Sequence, residues 1–200
     1  VGLIVTGTLG GNWLNWHLPL GYSAMTLLLF RVVWGFIGGH WSRFGNFLYG
    51  PSALLHYLRG KEPAAHGAGH SPLAALSVFA MLSVLLAQVG TGLISDDQIA
   101  TFGPLMALVS SDTSAAATSY NKNVGKWLIL SLIALHLAAI FFYTVVKRQA
   151  IARTMFSGNK TLPEPVCASK DTAGTRLQAL GILIMCAFTV RWVVSLGQST

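Results

Sequence analysis

The segment NWHLPLGYSAMTLLLFRVVWGFIGGHWSRF, residues 15–44, places a histidine and an arginine inside one long apolar run. His17 opens the run, and Arg31 follows fourteen residues later, about 21 Å along an α-helix and nearly on the same face. A second imidazole, His136, lies deep within LILSLIALHLAAIFFY. An ionisable group in hydrocarbon is costly; such groups usually face a bundle interior and mark function. The functional reading of His136 is axial ligation of haem iron through a neutral ring nitrogen. The alternative is a structural histidine bonded to a backbone carbonyl or a neighbouring serine. His17 is open to ligation as well, although an interfacial histidine flanked by Trp13 and Trp16 also serves as a plain helix anchor. Arg31 carries a permanent charge. No Asp or Glu falls within the apolar runs. Its counter-ion is therefore either a non-protein anion such as a haem propionate, or the headgroup region reached by snorkelling.

Small residues accompany these groups. Gly21 follows His17 by one turn, and AQVGTGL places Gly90 and Gly92 in a further apolar run. Glycine there admits either a porphyrin or a neighbouring helix at close range. The remaining histidines, His40, His56, His66 and His70, cluster in or beside one polar loop. Their irregular spacing and the lack of neighbouring carboxylates favour a headgroup-level loop over a metal site. Two cysteines, Cys167 and Cys186, make no disulfide framework, and the absence of C-x-x-C-H excludes a covalently attached c-type haem within the chain. No nucleophile–base pair points to a self-contained catalytic site.

The elements that must position these residues are membrane spans. Of the 200 residues, 53% are hydrophobic and 10% charged, against about 25% charged in a soluble domain. Four stretches are long enough to cross a ~30 Å hydrocarbon layer; the reading places them at about 18–38, 73–95, 124–146 and 177–195. Between the first two, PSALLHYLRG has a proline at a helix start and a glycine at its end, which predicts a short surface helix. HSPLAAL predicts Ser71 as N-cap and Pro72 at the first position of the second span. The segment SDDQIATFGPLMALVSSDTSAAATSYNKN is moderately apolar and is expected to fold over the outer surface. TLPEPVCASKDTAGT reads as a linker before the final span.

Charge sets the expected orientation. Nine Lys/Arg, namely Arg43, Arg59, Lys61, Lys147, Arg148, Arg153, Lys160, Lys170 and Arg176, fall in the first and third connections. The second connection has Asp96, Asp97 and Asp112 against Lys122 and Lys126. By the positive-inside rule the basic loops face the cytoplasm. The net charge of +7 is thus topology and no nucleic-acid footprint, since no RNA- or DNA-binding motif accompanies it. The opening VGLIVTGTLGG is too short to span and lacks the charged flank of a signal peptide, so it reads as the last turns of a helix whose beginning lies upstream.

Taken in order, TG, WHLPLGY, LLLFRVVWGFIGG, RFGNFLYGPSALLHYLRG, GHSPLAAL, TGLISDD, FGPL and LIALHLAAIFFYTVVKRQAIARTMFSGNK resemble the bacterial cytochrome b-561 family. That family includes the b-type cytochrome subunits of Ni–Fe hydrogenases. The resemblance covers about residues 5–160. It implies an all-α integral membrane protein of the bacterial inner membrane. Its expected architecture is a multi-pass helical bundle binding one or two b haems, four spans here plus the tail of a first helix. Residues 1–160 would form the bundle; 161–200 would add a cytoplasmic linker and an extra transmembrane helix. Electrons would pass between a periplasmic c-type cytochrome, or dehydrogenase or hydrogenase subunits, and the quinone pool within membrane lipid. On the matching motifs, His17 corresponds to an outer-haem ligand with Gly21 beside it. His136 corresponds to an inner-haem ligand and Arg31 to an arginine near haem. Two positions depart. The family's first-helix histidine would lie upstream of Val1, and Lys122 stands where the family has a histidine fourteen residues before His136. Lys122 is then a candidate axial ligand, since an amine binds iron once deprotonated, with Tyr120, Trp127 and the apolar loop expected to keep it dry.

Two other readings compete. A haem-poor anchor subunit of a larger redox or photosynthetic complex is suggested by Lys122. A small transporter is disfavoured by the absence of acidic residues from the spans and of paired interrupted helices. The charge split generates a topology test. Reporters fused within 100–118 should read periplasmic, and reporters within 43–61 or 147–170 cytoplasmic. A cytoplasmic signal from 100–118 would reverse the orientation.

Overall fold

The computed structural model describes residues 2–9, 13–59, 71–96, 102–146 and 172–197. Seven α-helices run through them: α1 (Gly2–Leu9), α2 (Leu14–Ile37), α3 (Pro51–Leu58), α4 (Pro72–Leu93), α5 (Ser111–Ser119), α6 (Lys126–Phe141) and α7 (Ala173–Leu196). Two π-helical turns, Tyr120–Gly125 and Phe142–Val146, join α5 to α6 and extend α6. Four helical columns are long and apolar enough to cross a membrane. Helices suit that setting because hydrocarbon offers no water to backbone groups, so each must be paired internally.

The ends of the helices follow local chemistry. Ser71 caps α4, its hydroxyl accepting from the Ala74 N–H, with Pro72 at the first helical position as expected. Pro51 likewise opens α3 on the expected short segment. At α7, Thr172 and Thr175 form a reciprocal capping box. The third column differs most from the sequence reading. It starts at Ser111, thirteen residues before the expected 124, because Ser110 accepts from the Thr113 N–H and nucleates an Ala-rich turn. Its 36 residues span about 54 Å, well beyond a ~30 Å core, so the polar SDTSAAATS stretch projects past the apolar layer. Residues 147–171, which include most of the predicted linker, lie outside the described residues.

Helix α2 is the hub. It packs along α7, meets α1 at its start and touches α4, which in turn carries α3, α5 and α6. Cys186 and Val190 of α7 and Ala75 of α4 are buried. Leu135, Phe141, Met185, Phe188 and Trp192 stay exposed, as lipid-facing side chains should. At the basic end, the loop after α2 folds back as an aromatic wedge. Phe44 packs with Phe36, Phe47 and Phe79, and Phe47 is buried. At the acidic end, residues 102–105 turn across the end of α4, with the Gly103 N–H bonded to Ser95 O and the Leu105 N–H to Leu93 O. Gly197 at the end of α7 abuts Pro104, so this cover reaches both helices.

The wedge yields a stability test. A Cβ at Gly35 would run into the Phe44 ring, whereas one at Gly181 meets nothing within 4 Å. Gly35→Val should therefore destabilise the detergent-solubilised protein by about 1–3 kcal/mol of overpacking. Gly181→Ala should leave the melting temperature unchanged or slightly raised, read from thermal unfolding of the two variants side by side.

Candidate haem site

His17 sits half-buried in the first turns of α2, where α1 closes over it. Its Nδ1 lies 3.0 Å from the Leu3 carbonyl oxygen and 3.2 Å from Thr6 Oγ1. Thr6 is buried, and its hydroxyl is 2.9 Å from Gly2 O and 3.2 Å from Leu3 O, the back-bonding geometry common for threonine in apolar helices. Gly7 lies against the ring: a Cβ there would be 2.9 Å from His17 Cε1. Among the described residues no hydrogen bond reaches Nε2, the nitrogen through which an imidazole can bind iron. Trp13 and Trp16 flank the site and are exposed, as interfacial anchors are.

Arg31 lies at the other end of α2. Its Nη1 donates to the Ser42 carbonyl at 3.3 Å, and the guanidinium stands 4.9 Å from the centre of the Phe44 ring. Contrary to the expectation of a solely non-protein partner, the loop itself holds this side chain. A carbonyl dipole and a ring quadrupole stabilise a cation without neutralising it. With most of its five N–H donors uncommitted among the described residues, the need for an anion remains. Arg43 Nε donates to Gly38 O at 2.8 Å, placing a cation at the carboxyl end of α2, where the helix dipole favours it.

His136 is half-buried on α6. Tyr143, seven residues further on in the second π-turn, pairs its hydroxyl with that of Tyr57 on α3. Helices α2 and α6 both pack on α4, with no extended packing between α2 and α6 among the described residues. The structure therefore sets His17 and His136 on separate walls and does not bring the two together. Gly90 and Gly92 of α4 have no heavy atom within 4 Å of where a Cβ would lie. Gly21 behaves differently: its nearest neighbour is Leu3 Cδ2 at 3.9 Å, so it admits α1.

Lys122 falls inside the first π-turn and is exposed. A π-turn takes in about one residue more than an α-turn. The helix before the turn is set back by roughly 100° relative to a continuous α-helix, and Lys122 lies within the turn itself. Its neighbour Asn121 faces α4. Its amide donates to Thr91 Oγ1 at 2.6 Å, and Gln88 Nε2 donates to Asn121 O at 3.4 Å. Trp127 is exposed with the Lys126 amine over its ring, so it does not supply the dry setting expected for Lys122. Of the loop histidines, His40 and His56 are exposed, while His66 and His70 lie outside the described residues. Among the described residues no group of three or more His, Cys, Asp or Glu could hold a metal ion. Sequence reasoning missed Thr6 and Gly7 as His17's partners. Their only signal was a Thr-Gly pair in an otherwise apolar helix end.

A bundle of apolar helices with a half-buried imidazole at one end, another on a separate helix and an arginine toward the far end has the make-up of a membrane cytochrome. Residues 1–158 match prokaryotic cytochrome b561, and the chain belongs to that family. It is also similar to the probable Ni/Fe-hydrogenase B-type cytochrome subunit of Bradyrhizobium diazoefficiens, 25% identical over 165 residues. That alignment covers 72% of this chain and 64% of the relative, so the chain spans under two thirds of that protein's length. No solved structure matches. Membership implies b-type haem and electron transfer. The residues present fit such a group: His17 has its Nδ1 occupied and Nε2 without a hydrogen bond, and Arg31 retains donors for an anion.

The geometry of Lys122 gives a direct test. Lys122→Ala should leave haem content and the reduced-minus-oxidised spectrum unchanged. Loss of a haem would place the amine on iron after all.

Proposed function

We propose that this chain is the membrane electron-transfer subunit of an oxidoreductase complex in the bacterial inner membrane. It carries b haem at one site built on His136 and another built on His17. The observation that carries the reading is the His17 contact set, which occupies Nδ1 and leaves Nε2 for iron. Bound haem supplies a one-electron Fe(III)/Fe(II) couple. The chain's own residues do the rest. His17, near the acidic end, and His136, toward the basic end, would hold iron at two depths. Arg31 offsets propionate charge while Ser42 and Phe44 fix its direction. The apolar faces of α2, α4 and α6 keep water away from both sites, which sets the dielectric on which the potentials depend.

The partner side follows from chemistry and kinship. Electrons enter or leave at the acidic end through a periplasmic redox protein, with a hydrogenase-type partner favoured by the Bradyrhizobium relative. Quinone in the surrounding lipid is the exchange partner at the basic end. A second reading, a haem-poor anchor subunit, draws on one observation: the position where the resemblance expects a histidine holds an exposed lysine.

Haem spectra distinguish the two. His136→Ala should remove one b-haem signal while the protein still inserts. Arg31→Leu should keep both signals but lower one midpoint potential, because removing a nearby positive charge favours the oxidised, more positive iron. A wild-type chain without any haem absorbance would support the anchor reading, and an unchanged spectrum in His136→Ala would reject His136 as a ligand.

A further inference from the structure

We infer that the Leu3–Gly7 turn of α1 is a positioning device for His17, which fixes its imidazole as the Nδ1–H tautomer and leaves the Nε2 lone pair free for iron. The inference rests on the proposal that His17 is an axial ligand.

A neutral imidazole has one donor and one acceptor nitrogen, and its contacts decide which is which. Nδ1 faces two oxygens, Leu3 O at 3.0 Å and Thr6 Oγ1 at 3.2 Å. The carbonyl can only accept. Threonine can donate or accept, but it has a single proton, and the backbone oxygens of Gly2 and Leu3 sit at 2.9 and 3.2 Å to receive it. With that proton given to the backbone, the hydroxyl turns a lone pair toward His17. Nδ1 must therefore carry the hydrogen, and the free lone pair is on Nε2. Burial makes the arrangement firm: Thr6 is 5% exposed, so water does not compete for its hydroxyl.

Gly7 fixes the other coordinate. A methyl there would lie 2.9 Å from Cε1, the ring carbon between the two nitrogens, closer than atoms in contact allow. The glycine thus lets the imidazole lie directly against the helix, with the hydrogen bonds setting its rotation about Cβ–Cγ. Two oxygens and one missing side chain define where Nε2 points. Partners of this kind orient a metal-bound histidine and raise its basicity.

Removing one of two acceptors should make His17 a weaker electron donor, which favours the ferrous state. The test is redox titration of haem in membranes bearing the full protein. Thr6→Val is expected to retain both haems, with one midpoint shifted to more positive potential and the other unmoved. Thr6→Ser, which keeps the hydroxyl, should restore the wild-type value, a rescue that a merely packing role for threonine would not show. Gly7→Ala should convert that same haem partly from low spin to high spin, or release it, by displacing the ring. Should Thr6→Val fail to accumulate, Gly7→Ala carries the test alone, with the haem on His136 reporting that the chain is folded. His17→Ala separates the two levels of argument. If it loses a haem while the Thr6 and Gly7 variants match wild type in potential and spin state, the positioning role is overturned and His17 stands as ligand. If His17→Ala is spectrally silent, both fall.

Discussion

Hydrocarbon offers no water to a polar group, and that constraint shapes every polar contact in this bundle. Each hydroxyl, amide or charge inside the spans must find its partner within the protein or within something the protein binds. Thr6, Thr26, Thr91 and Thr189 all return their hydroxyl protons to carbonyls of their own helices. Gln88, Thr91 and Asn121 tie α4 to the π-turn by side-chain amides and hydroxyls. Arg31 reaches a loop carbonyl and a ring face. His17 at Nε2 and Arg31 at its remaining N–H groups keep capacity that a haem would engage, while Gln88 Oε1 and Ser114 Oγ are buried without a partner among the described residues. Helix packing answers the same constraint. With no hydrophobic force between helices in lipid, close fit and interhelical bonds decide which columns touch.

Much of this architecture was readable from the chain because membrane spans are long and their caps are local. Ser71–Pro72 and Pro51 announce α4 and α3 through chemistry confined to a few residues. His17, Arg31 and His136 stand out because charge or polarity in an apolar run is itself the anomaly. What was not readable depends on how separate segments meet. The role of Thr6 comes into being only when α1 lies against the start of α2, eleven residues away in sequence. Arg31's protein partner is a backbone carbonyl, which every residue carries and no sequence pattern singles out. The π-turn is a slip in hydrogen-bond register over six residues, too short to alter the apolar periodicity that surrounds it. The early start of the third column was missed for a related reason: SDTSAAATS is polar enough to read as a loop, yet its serine cap and alanines favour a helix.

The two ends of the molecule are built in contrasting ways. At the basic end, rings do the joining: Phe44 and Phe47 from the loop interlock with Phe79 of α4, and Arg31 lies on the same ring system. At the acidic end, main-chain bonds of the 102–105 turn do most of the joining, with the Thr118 hydroxyl bonded to the N–H and the carbonyl of Asp96. An aromatic joint depends on shape and tolerates little change in volume, whereas a backbone joint is indifferent to most side chains. The exposed positions Phe102, Ala107 and Leu108 are accordingly expected to accept substitutions more readily than 36–47, whereas Gly103, where a Cβ would meet the Leu93 carbonyl, is not.

The π-turn has a consequence for how such a protein can change over time. Because the turn holds one residue more than an α-helix needs, deleting a single position between 120 and 125 would let the column relax into regular α-helix. Everything before it would then rotate by roughly 100° about the axis. Lys122 would swing toward the face that bears His136, and Asn121 would leave Thr91. A helix of this design can exchange the side chain it offers to the interior without any substitution at all. Insertion and deletion, usually the coarsest of sequence changes within a membrane span, act here as a rotary adjustment.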